Sequence, residues 1–541
     1  MRGRAAYARP GPPKVNCMSL YSRSRARRSI IDTVSYRAIS QVATILGYVV
    51  MVRGMSQEDF GVYNLLYAFI PVLSTIGSLG LEQTLRRYQP EYLQSGNEAA
   101  ARWLVRFVAS SRFGLNAIIL AIILLAWNTA APLFKLTPYR AEFVLFGALV
   151  LLYFQARILQ LSLGARMLHR LSVGSIAVLN ILKLIMYSTL AWHDALTLDR
   201  VIMADTAAFG VVYAILRLAY HRTKPSNESS LAYRPDKVER RRLFHYAFYN
   251  NFNDAGSLIL NSRSDLFFLA AILDPIAVGV YAFYTRLDNM TQHIMPVQLF
   301  DKVLQPLLFA LPKEAAATKM PRYFTLLINL NLMLQWPVLA FAIAYHQEIV
   351  QFAFGGKFVS HSWLLPLIAG FSTLNVVATP VTLVAQHQEK AAIILLSKIF
   401  TVYNIIMLLA LLPILGVYGA AIASGSAQLF KNALIWWHVR DTARWENWLA
   451  AVASSFVLWG TVVLICWVTK NALDRHLLLS LCIGAFVVGA GTLLHVRGPA
   501  IADSDRTILS GVFKGREGAI LRALGLARAA PSDPRSVGTE G

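Results

Sequence analysis

Arg37, Arg112, Arg157, Lys398 and Lys431 stand inside stretches that are otherwise apolar. Each lies roughly five to eight residues from an end of its stretch, about 8–12 Å along a helix. Lys183, Arg263 and Arg286 sit deeper or toward the opposite end. A charge in hydrocarbon costs several kcal/mol and persists where it faces a partner or a water-filled cavity. Guanidinium groups grip oxyanions in pairs, so cations ringing a cavity would concentrate an anionic, amphipathic substrate. Asp205, Asp254, Asp265 and Asp288 share these stretches. They either pair with the cations or bind a coupling proton or sodium ion.

Neutral polar residues reinforce the pattern. Thr33, Arg37, Gln41, Thr44 and Tyr48 fall at intervals of three and four, as do Asn250, Asp254, Ser257, Asn261 and Asp265. Ser372, Asn375, Thr379, Thr382 and Gln386 repeat the spacing, which places each set on one helix face. Single Ser, Thr and Asn residues commonly bond neighbouring helices in membranes. Three such stripes together predict an aqueous cavity shared between two halves of the chain. The substrate-binding candidates are therefore Arg37, Gln41, Arg112, Arg157, Lys183, Asn261, Arg263, Lys398 and Lys431.

The elements that must hold these groups are membrane helices. The chain of 541 residues is 56% hydrophobic and 15% charged, with mean hydropathy +0.50, against roughly a quarter charged in soluble domains. About fourteen stretches reach the ~20 residues that cross a bilayer as helix, which predicts an all-α polytopic membrane protein. The tripeptide Gly-Val-Tyr recurs at Gly61, Gly279 and Gly416, and aligning Gly61 with Gly279 sets 51–69 on 269–287 without a gap. This repeat predicts two pseudo-symmetric six-helix lobes, 30–219 and 247–438, joined by a basic connection at 220–246. A further helix pair occupies 439–496, and cytoplasmic tails are expected at 1–29, which is basic, and at 497–541, which is mobile in its last dozen residues.

The net charge of +22 suggests nucleic acid at first sight, but the cations follow the loops rather than a soluble face. Roughly 34 Lys and Arg fall on one side of the membrane and about 7 on the other, so the positive-inside rule makes both termini cytoplasmic. Cys17, Cys466 and Cys482 have no metal-ligand spacing, and the apolar spans give the latter two an ordinary buried setting. Loops on the cation-poor side are short, the longest being about 346–362, which leaves no room for an external catalytic domain. Phosphate-binding loops, dinucleotide fingerprints and nucleophile elbows are absent from the sequence. We expect no enzyme, no cofactor and no metal, with energy drawn from an ion gradient or from the substrate's own gradient.

The stretch from Val52 through Glu58-Asp59-Phe60-Gly61-Val62-Tyr63, followed by Gly80-Leu81-Glu82-Gln83-Thr84-Leu85-Arg86-Arg87-Tyr88, resembles the start of polysaccharide flippases. These belong to the multidrug, oligosaccharidyl-lipid and polysaccharide exporter superfamily. Ser264-Asp265-Leu266-Phe267-Phe268-Leu269 and Gly416-Val417-Tyr418-Gly419-Ala420-Ala421-Ile422-Ala423 resemble later segments of the same family. Arg53-Gly54-Met55-Ser56 departs from the Leu-Gly-Pro turn of many relatives. The resemblance covers roughly 30–440 and implies a flippase of undecaprenyl-diphosphate-linked oligosaccharide in a bacterial inner membrane, working by alternating access for O-antigen, exopolysaccharide or capsule assembly. It implies membrane lipid and a polysaccharide polymerase or assembly proteins as partners. A lipid II flippase and a multidrug antiporter are the alternatives within the superfamily, the antiporter being disfavoured by the basic cavity. A glycan polymerase or ligase and a non-transporting scaffold are the alternatives outside it.

Overall fold

The computed structural model describes residues 23–223, 233–258, 264–292, 313–445, 448–473, 476–498 and 506; the side chains of 23–34, 169, 250, 252–258, 313–319 and 391 are not described. Every regular element among these residues is helical. The chain divides into two compact units, Met1–Asn261 and Ser262–Gly541.

In the first unit the helices of eight or more residues are α1 Arg23–Gly54, α2 Gln57–Ile76, α3 Leu81–Gln94, α4 Glu98–Leu125, α5 Arg140–Ala165, α6 His169–Trp192, α7 Leu198–Arg222 and α8 Lys237–Leu258. α1 packs along α6, α5 along α7, and α8 against α2 and α3. Helix starts follow local chemistry. Ser56 Oγ accepts from the Asp59 amide at 3.0 Å at the head of α2, where Glu58 and Asp59 also oppose the helix dipole, and Asn97 Oδ1 accepts from the Ala100 amide at 3.0 Å at the head of α4.

α1 begins at Arg23, inside the stretch expected as a tail. The charged segment following α2, too polar to count among the apolar stretches, forms α3. Its buried face carries Leu81, Leu85, Tyr88 and Tyr92, while Arg86 and Arg87 point outward. The basic connection is likewise built rather than free at its C-terminal end. Asp236 Oδ1 accepts from the Glu239 amide at 2.7 Å, and Glu239 accepts from Tyr92 at 2.5 Å and Tyr233 at 2.6 Å. Burial and the Glu239 carboxylate push both phenols above their ordinary pKa.

Gly80 links α2 to α3 with φ +74, and a Cβ there would lie 1.9 Å from the Ala247 carbonyl oxygen of α8. Left-handed backbone favours glycine, and this contact admits no side chain at all. Gly80→Ala is therefore expected to displace α8 from α3 and to lower the thermal midpoint of purified protein in detergent by several degrees. An unchanged midpoint would contradict that packing.

The second unit contains α9 Asp265–Ile272, α10 Pro275–Gln292, α11 Lys313–Phe354, α12 Leu364–Leu374, α13 Ala378–His387, α14 Phe400–Leu415, α15 Val417–Val439, α16 Trp448–Ala472 and α17 Leu477–Arg497. α14 packs on α15, and α16 and α17 lie against each other and against α11. α11 bends at Tyr345 (φ −124, ψ 22) and continues to Phe354, so much of the stretch expected as the external loop 346–362 is helix. Lys470 Nζ reaches Glu348 at 2.6 Å and fastens α16 to α11 beyond that bend.

Eleven helices among the described residues are long and apolar enough to cross a membrane. Of the expected spans, 247–272 and 276–300 run partly outside the described residues, and 416–438 is not among the eleven. Gln428, Lys431 and Asn432 lower the mean apolarity of α15. Leu125, Trp192 and Phe486 are 88%, 85% and 78% exposed, a surface that suits hydrocarbon rather than water.

Candidate functional site

Each unit holds a buried carboxylate gripped by the tyrosine of its Gly-Val-Tyr repeat. In the first unit Tyr63 Oη donates to Asp205 at 2.9 Å, and Tyr67 and Tyr187 also donate to this carboxylate. Lys183 Nζ lies 2.9 Å from Asp205, with the Phe209 ring 5.0 Å away. Asp205 is 0% exposed, so Lys183 is its counter-ion and the tyrosines complete its acceptor capacity. In the second unit Asp265 accepts from Tyr281 Oη at 2.9 Å, from Ser424 Oγ at 2.5 Å and from Asn404 Nδ2 at 3.3 Å. Among the described residues no cation pairs with Asp265. The two repeats thus use the same tyrosine for one ion-paired and one unpaired carboxylate.

A second charged cluster lies in the first unit around Glu82. Arg112 Nη1 reaches its Oε2 at 2.5 Å, while Arg157 Nε at 2.8 Å and Arg86 Nη2 at 2.9 Å share Oε1. The Arg112 guanidinium also lies 4.0 Å from the Phe154 ring centroid and donates to Ser74 at 3.0 Å. Three guanidinium groups on one carboxylate leave the cluster net cationic. Arg112 is wholly buried, whereas the side chains of Arg86 and Arg157 are 45% and 37% exposed and stay open to another anion.

The expected substrate-binding residues are therefore distributed unevenly. Arg112 and Arg157 converge on Glu82, whereas Lys183 serves Asp205. Arg37 is exposed and Gln41 half-buried on α1. Lys398 and Lys431 are half-buried, and neither has an ion-pair partner among the described residues. Asn261 and Arg263 lie outside the described residues, as do the side chains of Asp254, Asn250 and Ser257. No group of three or more His, Cys, Asp or Glu able to hold a metal stands together among the described residues.

A cavity of about 290 Å³ opens within the second unit. α10 lines it with Tyr281, Thr285, Asp288, Asn289 and Gln292, and α11 with Asn331 and Gln335. Ser372, Asn375 and Thr379, members of the third polar stripe, complete one wall, and Ser424 and Gln428 of α15 another. Asp288 Oδ2 accepts from Ser372 at 2.8 Å. Among the described residues the lining carries amides, hydroxyls, apolar groups and this one carboxylate, and no cation. Glu82 and the repeat tyrosines were missed as site residues; the signal for the latter was the recurrence of Tyr beside the conformationally permissive Gly.

The comparisons agree with this architecture. Over 385 residues the chain is 20% identical to the probable low-salt glycan biosynthesis flippase Agl15 of Haloferax volcanii, covering 70% of this chain and 76% of that protein. The fold is similar to that of the lipid II flippase MurJ in an inward closed conformation, with a TM-score of 0.64 at 12% identity over 86% of this chain and 99% of the other. It is also similar to an inward-facing multidrug resistance transporter of the MATE family, with a TM-score of 0.58 at 14% identity over 76% of this chain and 98% of the other. The family model for polysaccharide biosynthesis proteins matches residues 27–309, more than half of the sequence, and the chain belongs to that family.

Proposed function

We propose that this chain is a flippase that moves an undecaprenyl-diphosphate-linked oligosaccharide, a repeat unit of O-antigen, exopolysaccharide or capsule, between the leaflets of a bacterial inner membrane by alternating access. The observation that carries the reading is the net positive cluster at Glu82, where guanidinium groups outnumber carboxylates and Arg157 keeps an open side. A diphosphate presents the oxyanions that such a group grips best. Arg37 in the first unit and Lys398 and Lys431 in the second are further cations without an ion-pair partner among the described residues. Arg112 and Lys183 hold buried carboxylates and position their neighbours rather than meeting the lipid headgroup. Both termini face the cytoplasm, and the polymerase or assembly proteins that consume the product act on the opposite side.

Asp265 is the coupling-ion candidate of choice, because hydroxyl and amide groups surround its charge where Asp205 has Lys183. Transport by the full chain in sealed vesicles tests the cation assignment. Charge-assisted hydrogen bonds contribute about 1.5–3 kcal/mol, so Arg157→Gln or Lys431→Gln should slow translocation of the diphosphate-linked glycan roughly tenfold or more. Unaltered rates in both variants would remove the cations from the account.

A further inference from the structure

We propose that the cavity of the second unit is a glycosyl subsite that admits neutral sugars and, through Asp288, rejects sugars bearing a carboxylate. This rests on the flippase reading above and adds where the glycan is read. The cavity is about 290 Å³, near the lower end of the roughly 300–1,000 Å³ of small-molecule sites, a size for part of a glycan rather than a whole lipid-linked oligosaccharide.

Its lining has the chemistry of hydroxyl recognition. Each of Asn289, Gln292, Asn331, Asn375 and Gln428 brings both a donor and an acceptor, which suits vicinal hydroxyls that also do both. Tyr281 and Phe371 supply ring surfaces for the apolar faces of a pyranose. In the lining, Gln335 Nε2 is a buried donor and Asp288 Oδ1 a buried acceptor, neither with a hydrogen-bond partner among the described residues. Buried polar atoms are nearly always satisfied, and a hydroxylated ligand would satisfy both of these.

Asp288 decides the sign of the selectivity. Ser372 occupies only Oδ2, and among the described residues no cation lines the cavity, with Arg286 exposed on the same helix and outside the lining. An ionised sugar carboxylate entering here meets a like charge that no described cation compensates, whereas a hydroxyl donates to the free oxygen. The cations available to an anionic group lie elsewhere in the chain, so headgroup and glycan are recognised by opposite chemistries.

The test uses the full chain reconstituted in phospholipid vesicles, with two probes: a polyprenyl diphosphate bearing a neutral hexose and the same lipid bearing a hexuronate. The measured quantity is the ratio of their translocation rates, which does not depend on how much protein is correctly folded. Wild type should favour the neutral probe at least tenfold, and Asp288→Asn should reduce that preference to about threefold or less. Gln428→Ala, at an exposed lining position, should raise the concentration needed for half-maximal transport of the neutral probe. A wild-type ratio near one, or Asp288→Asn slowing both probes equally, overturns the subsite. Movement of neither probe by wild type overturns the flippase reading itself.

Discussion

Glu82→Gln is expected to cost about 3–5 kcal/mol of stability and to abolish transport, because it strands a wholly buried Arg112 and leaves Arg157 and Arg86 mutually repelling. Against a total stability of about 5–15 kcal/mol such a loss decides whether the unit folds. The informative partner is the double variant Glu82→Gln/Arg112→Met, which removes the stranded charge while keeping the bulk of the side chain against Phe154. Replacing both members of a buried pair is often close to neutral, so the double variant should recover most of the thermal midpoint lost in the single one. Fluorescence-detected thermal unfolding in detergent gives both values. Equal midpoints for wild type and Glu82→Gln would show that Glu82 does not hold these cations.

Asp205→Ala should be nearly as severe. It removes the counter-ion of Lys183 and the shared acceptor of Tyr63, Tyr67 and Tyr187, all within a core that excludes water. A loss of about 3–5 kcal/mol is expected, and Asp205→Leu/Lys183→Met should restore a large part of it. The same cycle separates two roles. If Asp205 and Lys183 are a structural pair, the double variant regains transport with stability. A double variant that is stable but inactive would make the pair part of the transport cycle instead.

Hydropathy made the long helices legible, because the cost of an unpaired backbone group in hydrocarbon leaves helix as the available form for a long apolar stretch. The same reasoning failed where polar residues sit on a buried helix face. α3 does not count among the apolar stretches because Arg86, Arg87 and Glu91 dilute its apolar residues, yet Leu81, Leu85, Tyr88 and Tyr92 bury one side of it. Glu82 escaped notice because it stands at the very end of an apolar stretch, where a charge is ordinary, so it was not weighed as the partner of Arg112 and Arg157. The polar stripe of Ser372, Asn375 and Thr379 was readable from its spacing, and the cavity it lines is described within one unit. That its described lining pairs a carboxylate with no cation was not readable, since which charges turn toward a cavity depends on packing between helices far apart in sequence. Lys183 shows the limit plainly: its spacing marks a buried cation, and only the fold reveals Asp205 as its occupant.

The account turns on whether a glycan-bearing diphosphate lipid crosses the bilayer through this chain. The direct measurement uses purified protein in sealed vesicles with the labelled lipid in the outer leaflet and a membrane-impermeant reagent that modifies its sugar. Time-dependent protection of the glycan from the reagent, faster than in protein-free vesicles and slowed by Arg157→Gln, is the predicted result. Complete and unchanging accessibility with folded wild-type protein present would contradict the flippase reading.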